Sequence, residues 1–181
     1  MPTILTHAVS GIAIGSLYRS PRPRGFWVWS AVCAMLPDAD VISFALGIGY
    51  GHLLGHRGLS HSLAFAALVG AGAAWKWGRG GSRLALFVHF FVVTASHGFL
   101  DAFTNGGLGV AFFAPFNDTR YFFPWRPIQV SPIGLGFFVA RDATGASYGI
   151  RVLASEFWYV WMPSGAMALA GWALRTRRSA R

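Results

Sequence analysis

Long apolar runs dominate the chain, broken by short basic or turn-rich stretches. A helix needs about 20 apolar residues to cross the hydrocarbon of a bilayer. Five runs come near that length: ILTHAVSGIAIGSLY (4–18), FWVWSAVCAMLPDADVISFAL (26–46), LSHSLAFAALVGAGAAWKW (59–77), LALFVHFFVVTASHGFLDAF (84–103) and EFWYVWMPSGAMALAGWAL (156–174). The first is short, rich in small residues and closed by RSPRPR. The pattern predicts an all-α polytopic membrane protein of about five transmembrane helices. A long segment rich in Gly, Pro and aromatics, 104–155, separates the last two. No repeat or flexible linker divides the chain, so residues 1–181 form one domain.

Composition agrees with that picture. Apolar residues make up 54% and charged residues only 12%, with a mean hydropathy of +0.47. Such a balance marks an integral membrane protein. A formal charge of +9 raises the question of nucleic acid, but 14 of the 15 basic residues are Arg placed at the ends of apolar runs. Topology explains that placement, and no nucleic-acid partner is required. Cys33 is the lone cysteine, which excludes an internal disulfide or a cysteine-based zinc site. MPTILTHAVSG lacks a basic n-region, so no cleaved signal peptide is expected.

Counting charge loop by loop orients the chain. Arg19, Arg22, Arg24, Lys76, Arg79, Arg83, Arg175, Arg177, Arg178 and Arg181 fall on one side; Arg57, Arg120, Arg126, Arg141 and Arg151 fall on the other. The positive-inside rule puts the first set in the cytoplasm. The expected location is the cytoplasmic membrane, with the N-terminus and the 104–155 segment outside and the C-terminus inside.

That orientation, drawn from Lys and Arg alone, gathers His7, Asp38, Asp40, His56, His61, His97 and Asp101 toward the outer leaflet. His97 and Asp101 are four apart and share a helix face. Asp38 and Asp40 point apart on a helix but to one side of an extended strand. Pro37 disfavours helical geometry at Leu36, so a break there lets both face one pocket. His56 is expected in a loop and His61 on the helix after it, with Gly58 permitting the turn and Ser60 as N-cap. An ionised Asp near mid-membrane costs roughly 2.5–3.5 kcal/mol on insertion scales. One arginine, Arg57, cannot balance three carboxylates, whereas divalent cations can. Mixed imidazole and carboxylate donors suit zinc, manganese or iron. Seven donors suit two ions roughly 3.5–4 Å apart sharing a carboxylate. His89, deeper in its run, reads as a hydrogen-bonded packing residue, and His52 as a solvated loop residue.

The elements LPDAD, HRGLSHS and SHGFLDAFTNGG, with the early TH and the segment FFAPFNDTRYFFPWRPIQVSPIG, resemble the YdjM-like family of LexA-regulated, membrane-bound, metal-dependent hydrolases. The likeness runs from about residue 5 to 135. That family is in turn similar to zinc-dependent phospholipase C, whose helical members hold a metal cluster with His and Asp. The resemblance implies His7, Asp38, His56, His61, His97 and Asp101 as ligands, and Asp40 as ligand or base. The soluble phospholipases also use a His-x-x-x-Glu pair. The sole Glu here is Glu156 and no such pair exists, which argues against a three-metal cluster.

The expected function is metal-dependent hydrolysis of phosphoester bonds in a lipid at the outer leaflet, with two zinc ions (or manganese or iron) activating water. Asp40 is the expected base if it is not a ligand. Arg57, beside His56, is the expected phosphate contact. Arg120 and Arg126, in the aromatic RYFFPWRP, are expected to meet a lipid headgroup. The alternative is a metal-binding membrane protein without hydrolase activity, in transport or structure. Transport requires polar groups continuing across the membrane, and only His89 lies deeper. An intramembrane zinc protease requires H-E-x-x-H, which is absent.

Overall fold

The computed structural model describes residues 1–78, 82–133, 141, 145 and 147–179. Helices build it, and the described residues contain no β-strand, only isolated bridges such as Val110 with Tyr121. The helices are α1 (Ile4–Ser16), α2 (Phe26–Met35), α3 (Ile42–Ala45), α4 (Leu63–Trp77), α5 (Arg83–Ala102), α6 (Tyr148–Glu156) and α7 (Met162–Ser179). A 3-10 turn, Leu36–Val41, joins α2 to α3, and a π-helical turn, Phe157–Trp161, joins α6 to α7.

The apolar runs map onto these helices, but not all have spanning length. Phe26–Ala45 and Arg83–Ala102 are long and apolar enough to cross a membrane. Ile4–Ser16 and Leu63–Trp77 are apolar but shorter. The last helical run begins at Tyr148, earlier than expected, so the irregular segment after α5 ends sooner than residue 155.

Small residues set the seams. A Cβ added at Gly11 of α1 would lie 2.6 Å from the Ser30 carbonyl of α2. One at Gly70 of α4 would lie 2.8 Å from the Phe87 carbonyl of α5. Backbones therefore come into contact at both seams, as small residues at helix interfaces allow. Between the seams sits a cluster of Tyr18, Phe26, Cys33, Ala34, Leu86, Phe90 and Val93. His89 is buried against it, its Nε2 2.9 Å from the Ser30 hydroxyl, as a packing histidine should be. Outward positions such as Leu68, Trp75 and Leu84 are apolar and exposed.

Pro37 does not break the chain into an extended stretch. Leu36 keeps right-handed helical angles (φ −55°, ψ −38°), and the backbone tightens into the 3-10 turn with the proline in its first turn, where its missing N–H costs nothing. With three residues per turn, positions two apart lie about 120° apart. Asp38 and Asp40 therefore leave the turn in different directions.

Candidate metal centre

The centre forms at one end of the bundle. Early α1, the 3-10 turn, the loop before α4 and late α5 meet there. Six side chains are brought together and buried: His7, Asp38, His56, His61, His97 and Asp101. Their donor atoms fall into three overlapping groups, each with all atoms within 4.8 Å: His7, Asp38 and His97; Asp38, His56 and His61; His61, His97 and Asp101. Asp38, His61 and His97 each belong to two of these groups.

The histidines are oriented from behind. His97 Nδ1 donates to the Ala34 carbonyl at 2.7 Å, so its Nε2 carries the lone pair, and that nitrogen faces Asp38 Oδ1 at 3.2 Å. His56 Nδ1 lies 2.7 Å from Asp40 Oδ1, leaving its Nε2 for the centre. His61 places Nδ1 3.1 Å from Asp40 Oδ2 and Nε2 3.5 Å from Asp101 Oδ2. His7 stacks on His97, ring centroids 3.6 Å apart, with Nε2 3.6 Å from Asp101 Oδ1.

Both nitrogens of His7, Asp38 Oδ2, His61 Nε2 and both oxygens of Asp101 are buried without a hydrogen-bond partner. One such atom costs about 1–3 kcal/mol. Six lie at one centre, and beyond the Arg57 guanidinium beside Asp101 their donor chemistry is compatible with a divalent cation between them. A proton is the lesser substitute. Burial alone would lower the pKa of His61, which precedes α4, but contacts with Asp101 and Asp40 push it up to about 9.

Asp40 takes a different place from the other acids. Its Oδ1 meets His56, while Oδ2 meets the Arg57 amide at 3.1 Å, the Ser60 hydroxyl and His61. It joins none of the three donor groups. The geometry makes it an orienting carboxylate behind two histidines. Ser60, committed to Asp40, is not the cap of α4; Ser62 is, accepting from the Phe65 amide at 3.1 Å.

The arginines also sit differently from expectation. Arg57 is fully buried, with Nε 2.8 Å from Asp101 Oδ2, as an ion pair rather than an aligned hydrogen bond. Its Nη1 donates to the Gly106 carbonyl and Nη2 to Thr104 Oγ1. Its left-handed backbone (φ 62°) is costly outside glycine, so the turn strains Arg57 while Gly58 stays at negative φ. Gly58 is needed for space, since a Cβ there would lie 2.1 Å from the Leu53 carbonyl. Arg120 donates to the carbonyls of Tyr50, His52 and His56, pinning the loop that carries His56. Arg126 is exposed, with its guanidinium 4.9 Å from the Phe122 ring centre. The structure thus joins Arg57 to the six donors and leaves Arg126 on the surface.

One participant escaped sequence reasoning. Glu156 is fully buried and accepts from the Thr3 amide, from Thr3 Oγ1 at 2.7 Å and from Thr6 Oγ1 at 2.7 Å. Trp161 Nε1 also donates to Thr6 Oγ1. A carboxylate from α6 thereby caps the N-terminus of α1, one residue from His7, where the helix dipole favours negative charge. The available signal was an acid inside ASEFWYVW, since buried acids in apolar runs need partners.

Comparison with known proteins decides the family. Residues 1–179 match the family described as YdjM inner membrane protein. The chain belongs to the YdjM family. A relative, the inner membrane protein YbcI of Escherichia coli (strain K12), is 38% identical over 182 residues, covering 98% of this chain and 100% of its own. No solved structure matches. Membership of an inner-membrane family accounts for exposed apolar positions such as Leu68, Trp75 and Leu84.

Proposed function

We propose that this YdjM-family chain is a membrane-embedded, metal-dependent hydrolase of phosphoester bonds in a lipid. The observation that carries the reading is the convergence of six buried donors, four of which (His7, Asp38, His61 and Asp101) have atoms without a hydrogen-bond partner. His7, Asp38, His56, His61, His97 and Asp101 would hold two cations, zinc best fitting their mixed imidazole and carboxylate chemistry. When bound, such ions polarise a phosphoryl oxygen and make a water acidic enough to attack at neutral pH. The protein's part is orientation. Ala34 and Asp40 fix which nitrogen His97, His56 and His61 present. Arg57 holds Asp101 in place. The proton leaving water would pass to a carboxylate at the centre, Asp40 if it is not itself a ligand. We further propose five spans with the centre facing outward, on the ten-to-five charge split. A reporter fused after Arg181 would then be cytoplasmic, and one inserted near Gly145 extracytoplasmic.

The completeness of burial favours a second reading, in which the ions only brace the bundle. Elemental analysis of purified protein, paired with phospholipid turnover before and after chelation, separates the two. Metal with chelator-sensitive turnover supports the hydrolase. Stoichiometric metal with no turnover of any phospholipid supports the brace. Folded protein that takes up no divalent metal under any loading condition overturns both.

A further inference from the structure

At the end of the bundle remote from the metal centre, the α1–α2 connection meets late α7. The two ends are ~20 Å apart along α1, from its rise of 1.5 Å per residue. A cleft of about 290 Å³ opens there, lined by Ser16, Tyr18, Arg19, Ser20, Arg22 and Arg175 with the apolar Leu17, Gly171 and Leu174. No carboxylate lines it. Like charges from two distant parts of the chain are thus brought to one opening. Arg175 helps to depress the pKa of Arg22, after burial as the larger cause.

Arg22 is held in position. Its Nη2 donates to the Tyr18 carbonyl at 3.2 Å, and its guanidinium lies 4.7 Å from the Trp27 ring centre. The backbones meet closely at the floor, where a Cβ on Gly171 would lie 2.6 Å from the Ser16 carbonyl. An anion in the cleft would be attracted by the guanidinium groups that line it together. The rim identifies the kind of anion. Leu17, Trp27, Trp172 and Leu174 are exposed beside the cleft, at the ends of apolar helices. Tryptophans in that position mark the level of lipid headgroups. An anion reaching the cleft from there carries acyl chains, for which the apolar rim is a surface.

We propose that this cleft binds the phosphate of an anionic phospholipid, held by Arg19, Arg22 and Arg175 with the acyl chains against Leu17 and Leu174. The site is independent of the hydrolase reading, because none of its residues approaches the metal centre.

The test uses full-length protein in nanodiscs of phosphatidylcholine with increasing phosphatidylglycerol, and native mass spectrometry of the lipid retained on ejection. Wild type should retain phosphatidylglycerol in preference to phosphatidylcholine. Each arginine replaced by Gln should lower that retention about fivefold, so Arg22→Gln with Arg175→Gln should lower it roughly 30-fold. Arg22→Lys with Arg175→Lys should recover most of it. Arg24→Gln removes the same charge from the same connection but does not line the cleft, and should leave retention unchanged. Thermal unfolding in phosphatidylcholine alone should be the same for all variants, which separates binding from folding. Three results would overturn the proposal: no preference in wild type, equal loss in Arg24→Gln, or inorganic phosphate displacing the lipid at millimolar concentration. The last would assign the cleft to free phosphate.

Discussion

Arg57 Nε lies 2.8 Å from Asp101 Oδ2, with both side chains fully buried. The pair joins the loop before α4 to late α5 and commits the Nε side of the guanidinium to Asp101. Removing one partner of such a pair strands a buried charge at a cost of about 3–5 kcal/mol. Arg57→Ala should therefore lower both thermal stability and metal content. Arg57→Gly should be about 1 kcal/mol less damaging, because glycine accepts the φ of 62° freely. Thermal unfolding and elemental analysis of the two variants check this. Normal stability and full metal, with turnover alone reduced, would return Arg57 to the role of phosphate contact.

Asp40 and Asp38 should part company under mutation. Asp40→Asn disturbs the orientation of His56 and His61 without removing a donor from the centre. Metal affinity should fall about 10- to 100-fold, the usual effect of losing an orienting partner. Asp38→Asn removes a donor common to two groups and should prevent loading at both. Competition with a chromophoric chelator measures the difference. Equal loss in the two variants would make Asp40 a ligand.

His61 makes the chelated protein sensitive to pH. Its pKa rises from 6.5 to about 9 on folding. The stability this contributes is fully present below pH 6.5 and is lost as pH rises through about 9. Chelated protein should therefore melt at lower temperature at pH 9 than at pH 6.5. Zinc loading should run the opposite way, weakening as the proton competes for the nitrogen. Melting curves across this range, with and without zinc, test both. A flat profile in the chelated protein would mean that His61 is not protonated there.

Glu156 should matter out of proportion to its distance from the donors. Glu156→Ala leaves the Thr3 amide and two hydroxyls without their acceptor. A hydrogen bond to a charged group contributes ~1.5–3 kcal/mol, and the loss should approach the upper figure. Glu156→Gln, which keeps an acceptor, should lose less. Metal content should follow stability in both variants, because Thr6 precedes His7. Wild-type melting of Glu156→Ala would remove the cap from the account.

The six donors were legible because polar groups stand out in an apolar chain and because charge counting placed them on one side. The roles of their neighbours were not legible. Asp38 and Asp40 carry the same chemistry two residues apart, and only the 3-10 turn separates them. Arg57 looked available because its partner Asp101 is 44 positions away, and no local pattern announces an ion pair at that separation. Ser60, the cap expected from sequence, is taken up by Asp40, and Ser62 caps α4 instead. Glu156 was visible as an oddity, but its partners are the first residues of the chain. Element types followed from hydropathy. Spanning lengths did not, since α1 ends before its run does and α4 begins after its run has started.

The cap on α1 also dictates an order of events during synthesis. The Thr3 amide and the Thr6 hydroxyl are made long before the carboxylate that satisfies them, which follows 153 and 150 positions later. Until α6 has been made, the first turn of α1, next to His7, lacks its cap. On the proposed metal reading, the seat of His7 is completed only once α6 has packed, which favours metal entry into the assembled protein over capture by the nascent chain.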